Sequence, residues 1–174
     1  TRVDSRHIFR GFRILYPNAI VFTIEMDRTK MRTAPSMASF IEVFRTYHTV
    51  GKAVNQISDF LRARGFDANA GPAVGGEVNY IPVARDAGLG EVGKNGLLIT
   101  RSNGPRVRLA AVYTNIENLP FAAPREDLAW VSGFCDTCDA CVTHCPTGAI
   151  YPIPVEAPTG GPRFVDHTKC AKPF

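Results

Sequence analysis

Cys135-Asp136-Thr137-Cys138-Asp139-Ala140-Cys141-Val142-Thr143-His144-Cys145-Pro146 sets four thiols within eleven residues. A 4Fe–4S cube needs thiolates converging from several directions on one compact object. The two-residue gaps let a tight loop present Cys135, Cys138 and Cys141. Pro146 then turns the chain away after Cys145 and keeps it from continuing a regular helix. A structural zinc site takes paired knuckles separated by a longer loop, which this density of cysteines leaves no room for. With five cysteines in the chain, an odd number, a disulfide framework is a poor fit. His144 reads as a bystander that donates a hydrogen bond near a sulfur, since four thiolates already suffice.

Cys170 is the remainder. The fourth cysteine of such a run can serve a second cluster, which would need three further ligands, and only Cys170 is left to supply one. Two readings stand. Either one cluster is held by Cys135, Cys138, Cys141 and Cys145 with Cys170 free, or the sequence stops partway through a second motif.

Upstream, Asn18 to Glu25 is rich in β-branched and aromatic residues and predicts a strand. After a loop with Pro35, Ser39-Phe40-Ile41-Glu42 has capping-box form. Phe40, Phe44, Tyr47, Val54, Ile57 and Leu61 recur at helical spacing until Gly65 stops the helix. This aromatic stripe is expected to face the core. Gly71, Gly75, Gly76, Gly88, Gly90, Gly93, Gly96 and Gly104 then mark a backbone that turns often. Leu97 to Thr100 predicts a short strand, and Val107 to Thr114 one apolar enough for a central position. Strand, long helix and further strands predict an α/β layered domain. Residues 115–134 form a connector with Pro120 and Pro124, ending at Trp130 and Phe134. Pro152, Pro154, Pro158 and Pro162 predict an extended, semi-rigid spacer after Ile150. The expected division is an α/β domain over 1–130 and a cluster-bearing domain, incomplete, over 131–174.

The length of 174 residues allows one good core with a small appendage, and the 45% apolar content is ordinary for a globular chain. The net charge is only +4, and the nearest thing to a basic patch, Arg6, Arg10 and Arg13, is interleaved with Phe9, Phe12 and Ile14. That pattern suits an amphipathic edge, and no nucleic-acid partner is expected. No apolar run approaches the ~20 residues that span a bilayer, and no basic-then-apolar leader opens the chain. It begins at Thr1, not Met, so a removed leader or preceding region is compatible with it. The expected location is cytoplasmic, with membrane association on the outer face as the alternative if a leader was removed.

One stretch remains: Ala87-Gly88-Leu89-Gly90-Glu91-Val92-Gly93-Lys94-Asn95-Gly96-Leu97-Leu98-Ile99-Thr100, followed by Gly104-Pro105-Arg106-Val107-Arg108. Physically it is a glycine-rich turn able to admit a cofactor against its backbone. It is not a dinucleotide fingerprint, for no long strand leads into it and no helix is expected after it. In sequence it resembles the corrinoid-dependent reductases, namely the reductive dehalogenases and the related epoxyqueuosine reductases. Both carry Ala-Gly-Leu-Gly-x-x-Gly-Arg/Lys-x-Gly, then Gly-Pro-x-x-Arg, then C-x2-C-x2-C-x3-C-P, here within residues 87–146, and the resemblance covers about residues 18–174.

The resemblance implies a nitroreductase-like domain binding a base-off cobamide (cobalamin), followed by a ferredoxin-like domain. Gly88, Leu89, Gly90, Glu91, Gly93, Lys94, Asn95 and Gly96 are the implied cobamide contacts. Cys170 would join Cys145 on a second cluster whose other ligands lie beyond Phe174. Glu91 and Gly104 to Arg108 lean toward the dehalogenases, whereas Lys94, Asn95 and Cys145-Pro146-Thr147-Gly148-Ala149-Ile150 look more like the queuosine enzymes. Those enzymes carry an aspartate upstream of the Ala-Gly-Leu-Gly stretch, and counted back from Ala87 its place falls on Val74. The implied activity is removal of halide from a small organohalide, consuming two electrons and a proton. Electrons would come from ferredoxin, flavodoxin or a membrane donor, through one or two 4Fe–4S clusters to cobalt. Tyr80 is the expected proton donor and Lys94 the cation stabilising developing negative charge, with Glu77 a third candidate. The plainer readings are a packing tyrosine before Pro82, a solvated loop lysine and a solvated carboxylate. The rival functions are an epoxyqueuosine reductase and an electron-carrying or corrinoid-handling protein without substrate chemistry.

Overall fold

The computed structural model describes residues 1–120, 126–157 and 161–171. Strand β1 (Asn18–Glu25) is followed by the short helix α1 (Arg28–Met31) and the long helix α2 (Met37–Arg62). Then come β2 (Ala68–Ala70), α3 (Tyr80–Asp86), β3 (Glu91–Val92), β4 (Leu98–Ile99) and β5 (Val107–Thr114). The last part holds α4 (Trp130–Thr137), α5 (Ala140–Thr143), β6 (Ile150–Glu156), β7 (Pro162–Val165) and α6 (His167–Ala171). The expected boundary at residues 130/131 falls in the first turn of α4. Pro124, Pro158 and the terminal residues to Phe174 lie outside the described residues. No helix among the described residues is long and apolar enough to cross a membrane.

Strand β5 is central, with β1 on one side and β2 on the other, and both pairings are antiparallel. A central strand covered on both faces must be apolar at successive positions, because alternate side chains enter opposite layers. Ala110 and Val112 accordingly pack with Val50, Val54 and Leu61 of α2. Ala111 and Tyr113 pack on the other face with Val78, Val83 of α3, Ala19 and Val3. The layers are therefore helix, three-stranded sheet, and a cover of α3 with the N-terminal segment.

The long helix follows its expected span but differs at its start and in its stripe. Ser36, not Ser39, is the N-cap. The Ser39 amide donates to Ser36 Oγ at 3.2 Å and the Ser36 amide to Ser39 Oγ at 3.1 Å, the reciprocal bonds of a capping box. Gly65, at φ +82°, closes the other end: its amide donates to Arg62 O and that of Phe66 to Leu61 O. That double bond pattern requires a left-handed residue, which glycine adopts without steric cost. The buried stripe is Ser39, Glu42, Thr46, Val50, Val54, Ser58 and Leu61, while Phe40 and Phe44 each stand 57% exposed and touch each other at 4.7 Å. The expected aromatic core stripe is thus half wrong. Small and polar side chains let the helix lie close on the sheet, and they satisfy their polar atoms locally, as Thr46 does by donating to the Glu42 and Val43 carbonyls.

Glu42 is the exception that needs partners, being fully buried with its charge. It accepts from Arg45 Nε at 2.8 Å, from the Asp27 amide at 2.8 Å and from Lys30 Nζ at 3.4 Å, tying α1 to α2. The Arg45 guanidinium first, then the Asp27 amide, bring its pKa down from 4.5 to about 2 against the opposing effect of burial. A carboxylate depressed in the folded state contributes stability that is complete above its unfolded pKa and is lost as pH falls through the folded value. Thermal unfolding followed from pH 5 down to pH 2 should therefore show a fall in midpoint that is smaller in Glu42→Gln. At neutral pH that variant should be less stable by about 1–3 kcal/mol, the cost of an imperfectly satisfied buried group.

The proline-rich stretch is not a spacer. It forms the antiparallel pair β6–β7, with Ile150 opposite Val165, Val155 opposite Arg163, and an irregularity between. Prolines, lacking an amide donor, are tolerated on the edges of so small a sheet.

Candidate functional site

The cysteine loop is built from two short helices. Cys135 rides on α4, Cys138 ends it, Cys141 rides on α5, and Cys145 follows one residue after α5's cap at His144. Cys135, Cys138, Cys141 and Cys145 are half-buried, while Cys170 on α6 is exposed. The Ala149 amide donates to Cys145 Sγ at 3.3 Å, and Thr147 Oγ1 lies 3.6 Å from it. The Ala149 amide, then Thr147, draw the Cys145 thiol down to about 7. Amides aimed at a sulfur are the environment of a thiolate ligand. His144 Nδ1 lies 2.8 Å from the Ala140 carbonyl and turns along its own helix, which fits the bystander reading. Among the described residues no three Cys, His, Asp or Glu side chains stand close enough to hold a metal ion. Free thiols have no bond that gathers them, and a cluster organises its ligands as it binds. The donor set itself, four soft thiolates with an amide directed at one of them, suits iron–sulfur chemistry.

The glycine-rich stretch opens by ending a helix that the sequence reading lacked. Asn79 caps α3, its Oδ1 accepting from the Ile81 amide. The Gly88 and Leu89 amides donate to Arg85 O and Ala84 O, ending it. The β3–β4 hairpin then folds so tightly that a Cβ on Gly90 would stand 2.6 Å from Ile99 O. Asn95 Oδ1 accepts from the Leu97 amide in its turn, and Glu91 Oε1 from the Val92 amide. Lys94 reaches out of this hairpin to Asp139 in the cysteine loop.

Tyr80 sits at the start of α3, packed against the Ala111–Tyr113 cluster, and its hydroxyl donates to Pro72 O at 3.1 Å. Burial raises the pKa of its phenol, and raises that of fully buried Tyr113 further. Tyr113 Oη and Glu77 Oε2 are buried without a hydrogen-bond partner.

On the opposite face of the sheet stands a pair that the sequence reading did not assemble. Arg108, on the α2 side of β5, lays its guanidinium over the Tyr47 ring at 4.3 Å from the centroid. Its Nε is buried with no hydrogen-bond partner. In the sequence Tyr47 is one rung of an aromatic stripe and Arg108 the end of Gly-Pro-x-x-Arg. Their 61-residue separation hides the contact, which the packing of α2 on β5 creates.

Residues 129–151 match the family described as a 4Fe-4S binding domain. A tetrachloroethene reductive dehalogenase of Desulfitobacterium hafniense is 41% identical over 133 residues, 76% of this chain and 23% of the relative. An epoxyqueuosine reductase of Listeria monocytogenes is 39% identical over 106 residues, 60% of this chain and 26% of its own. A variant of the catabolic reductive dehalogenase NpRdhA shares the fold at a TM-score of 0.87, with 22% identity, over 99% of this chain and 26% of that structure. The chain spans about a quarter of the length of these relatives. Over that segment, then, the chain is similar in sequence to tetrachloroethene reductive dehalogenases and also to epoxyqueuosine reductases.

Proposed function

We propose that this chain forms the electron-entry and proton-delivery part of an iron–sulfur and corrinoid-dependent oxidoreductase that removes halide from a small organohalide. The observation that carries the reading is the conjunction of a half-buried Tyr47–Arg108 pair, a tight glycine hairpin and a four-cysteine loop in a chain that is 41% identical over 133 residues to a tetrachloroethene reductive dehalogenase.

Cys135, Cys138, Cys141 and Cys145 hold a 4Fe–4S cluster, and Cys170 is reserved for a second. The division into a nitroreductase-like part over 1–130 and a ferredoxin-like part over 131–174 belongs to the same reading. A cobamide suits the α2 side of the sheet, because Arg108 Nε there is a buried polar atom lacking a partner that a polar ligand would satisfy. Gly88 to Gly96 is the hairpin we assign to its contacts. Bound there, a corrinoid supplies a low-potential cobalt able to reduce a carbon–halogen bond. The chain's own contribution is protonic. Tyr47 holds a proton at Oη, and the Arg108 guanidinium over its ring stabilises the phenolate left when that proton is given up. Tyr80 is the weaker donor, since its hydroxyl is engaged with Pro72 and its ring with the core. The electron donor is a ferredoxin, flavodoxin or membrane component, and the location is cytoplasmic.

Epoxyqueuosine reduction is the second reading, favoured by the Listeria relative. Val74, 67% exposed where those enzymes carry an acid, speaks against it.

Anaerobic reconstitution with iron, sulfide and a cobamide tests the proposal. Iron and acid-labile sulfide should appear together with bound corrinoid, and a halogenated alkene or phenol should release halide when a reductant is added. Zinc in place of iron, or no corrinoid uptake by a chain with an intact cluster, would overturn it.

A further inference from the structure

The β3–β4 hairpin packs on the cysteine-bearing part, through β3 against α4 and through Gly96 and Lys94. Gly96 lies so close to β7 that a Cβ on it would stand 3.0 Å from Phe164 Cβ. Lys94, two residues earlier, places Nζ 2.8 Å from Asp139 Oδ1, and only 11% of its side chain is exposed. A solvated loop lysine would not be covered in this way, so that plainer reading fails. The expectation that Lys94 faces the substrate is likewise unsupported, because its ammonium is turned toward the cysteines.

Asp139 stands between Cys138 and Cys141 and caps α5, its carbonyl accepting from the Thr143 amide at 2.9 Å. Asp139, then Asp136 and Cys141, favour the charged form of Lys94. A cation of fixed position therefore sits beside the loop, neutralising the nearest carboxylate.

Adding one electron to a cluster makes it one charge more negative. A nearby cation favours the reduced state and an uncompensated carboxylate the oxidised one. We propose that Lys94 is a positioning residue of the electron path: through its ion pair with Asp139 it sets the reduction potential of the cluster on Cys135, Cys138, Cys141 and Cys145. The step is a single-electron transfer from a low-potential one-electron donor, with no bond made or broken. The inference rests on the cluster reading above.

The test uses the anaerobically reconstituted chain. Iron and sulfide are assayed first, and the cluster is then titrated with dithionite and mediators while its paramagnetic signal is followed. Lys94→Met should lower the potential, so that at fixed applied potential the reduced-to-oxidised ratio falls about tenfold. Asp139→Asn should raise it, the double variant should return close to the unaltered protein, and Lys94→Arg should scarcely move it. A purely structural clamp would damage both single variants in the same sense. Same-direction shifts, or no shift in either, therefore overturn the inference. If Lys94→Met fails to hold iron, Asp139→Asn decides, and a potential that does not rise in it counts against the proposal. Absence of iron from the unaltered protein instead sinks the cluster reading, whereas full iron with unmoved potentials sinks only this one.

Discussion

Cys138→Ser, reconstituted without oxygen, should lose nearly all its iron and acid-labile sulfide and with them the broad visible sulfur-to-iron absorption. Serine keeps the shape of cysteine, but its hydroxyl is a poor ligand for iron at neutral pH beside a soft thiolate. Cys138 joins α4 to α5, so the cube loses the corner at the hinge between the two helices. The layered core should survive, since none of Val50, Val54, Ala110, Val112 or Tyr113 lies on the cysteine loop. Far-ultraviolet circular dichroism and the thermal midpoint of the cluster-free protein should therefore be unchanged. Equal iron in Cys138→Ser and the unaltered chain would refute the assignment of these thiols. The same substitution at Cys170 should leave iron per chain unchanged, because Cys135, Cys138, Cys141 and Cys145 supply all four ligands of the cluster.

The second large effect is expected at Tyr47. In protein loaded with cluster and cobamide, Tyr47→Phe should lower turnover by about 10²–10⁴, the usual worth of a positioned proton donor. Iron, sulfide and corrinoid content should be unaffected. Phenylalanine keeps the ring under the Arg108 guanidinium and removes only the hydroxyl, so a packing role alone would leave the rate intact. Arg108→Met should give a comparable loss, and the double variant little more than either single one, because residues that act as a unit are not additive. Tyr80→Phe is the control. It costs a hydrogen bond to Pro72, about 1 kcal/mol of stability, and should leave turnover near that of the unaltered protein. A larger rate loss at Tyr80 than at Tyr47 would return the donor's role to Tyr80.

The glycine-rich stretch shows how one motif can serve two purposes. Gly88 ends α3, and Gly90 and Gly96 permit backbone approaches that a side chain would block. The fold thus explains Gly90 and Gly96 through the close approach of Leu98, Ile99 and Phe164, and the cobamide contact remains the proposed second demand on the same backbone. Phe40, Phe44 and Met37 are left exposed on the outer face of α2, on a chain that spans about a quarter of its relatives.

Local chemistry determined much of this protein from its sequence. Strands β1 and β5 run over the residues expected of them, because β-branched and aromatic runs prefer the extended backbone wherever they lie. The thiol spacing marked a cluster site because ligand geometry over eleven residues is a local property. The tertiary structure alone decided which face of α2 is buried, why Glu42 can be charged inside the protein, and that Lys94 meets Asp139 while Arg108 meets Tyr47. Those contacts join residues far apart in the chain or reverse the hydrophobic ranking of a helix face. They follow from the packing of α2 on β5 and the docking of a hairpin on the cysteine loop, which no local pattern of residues encodes.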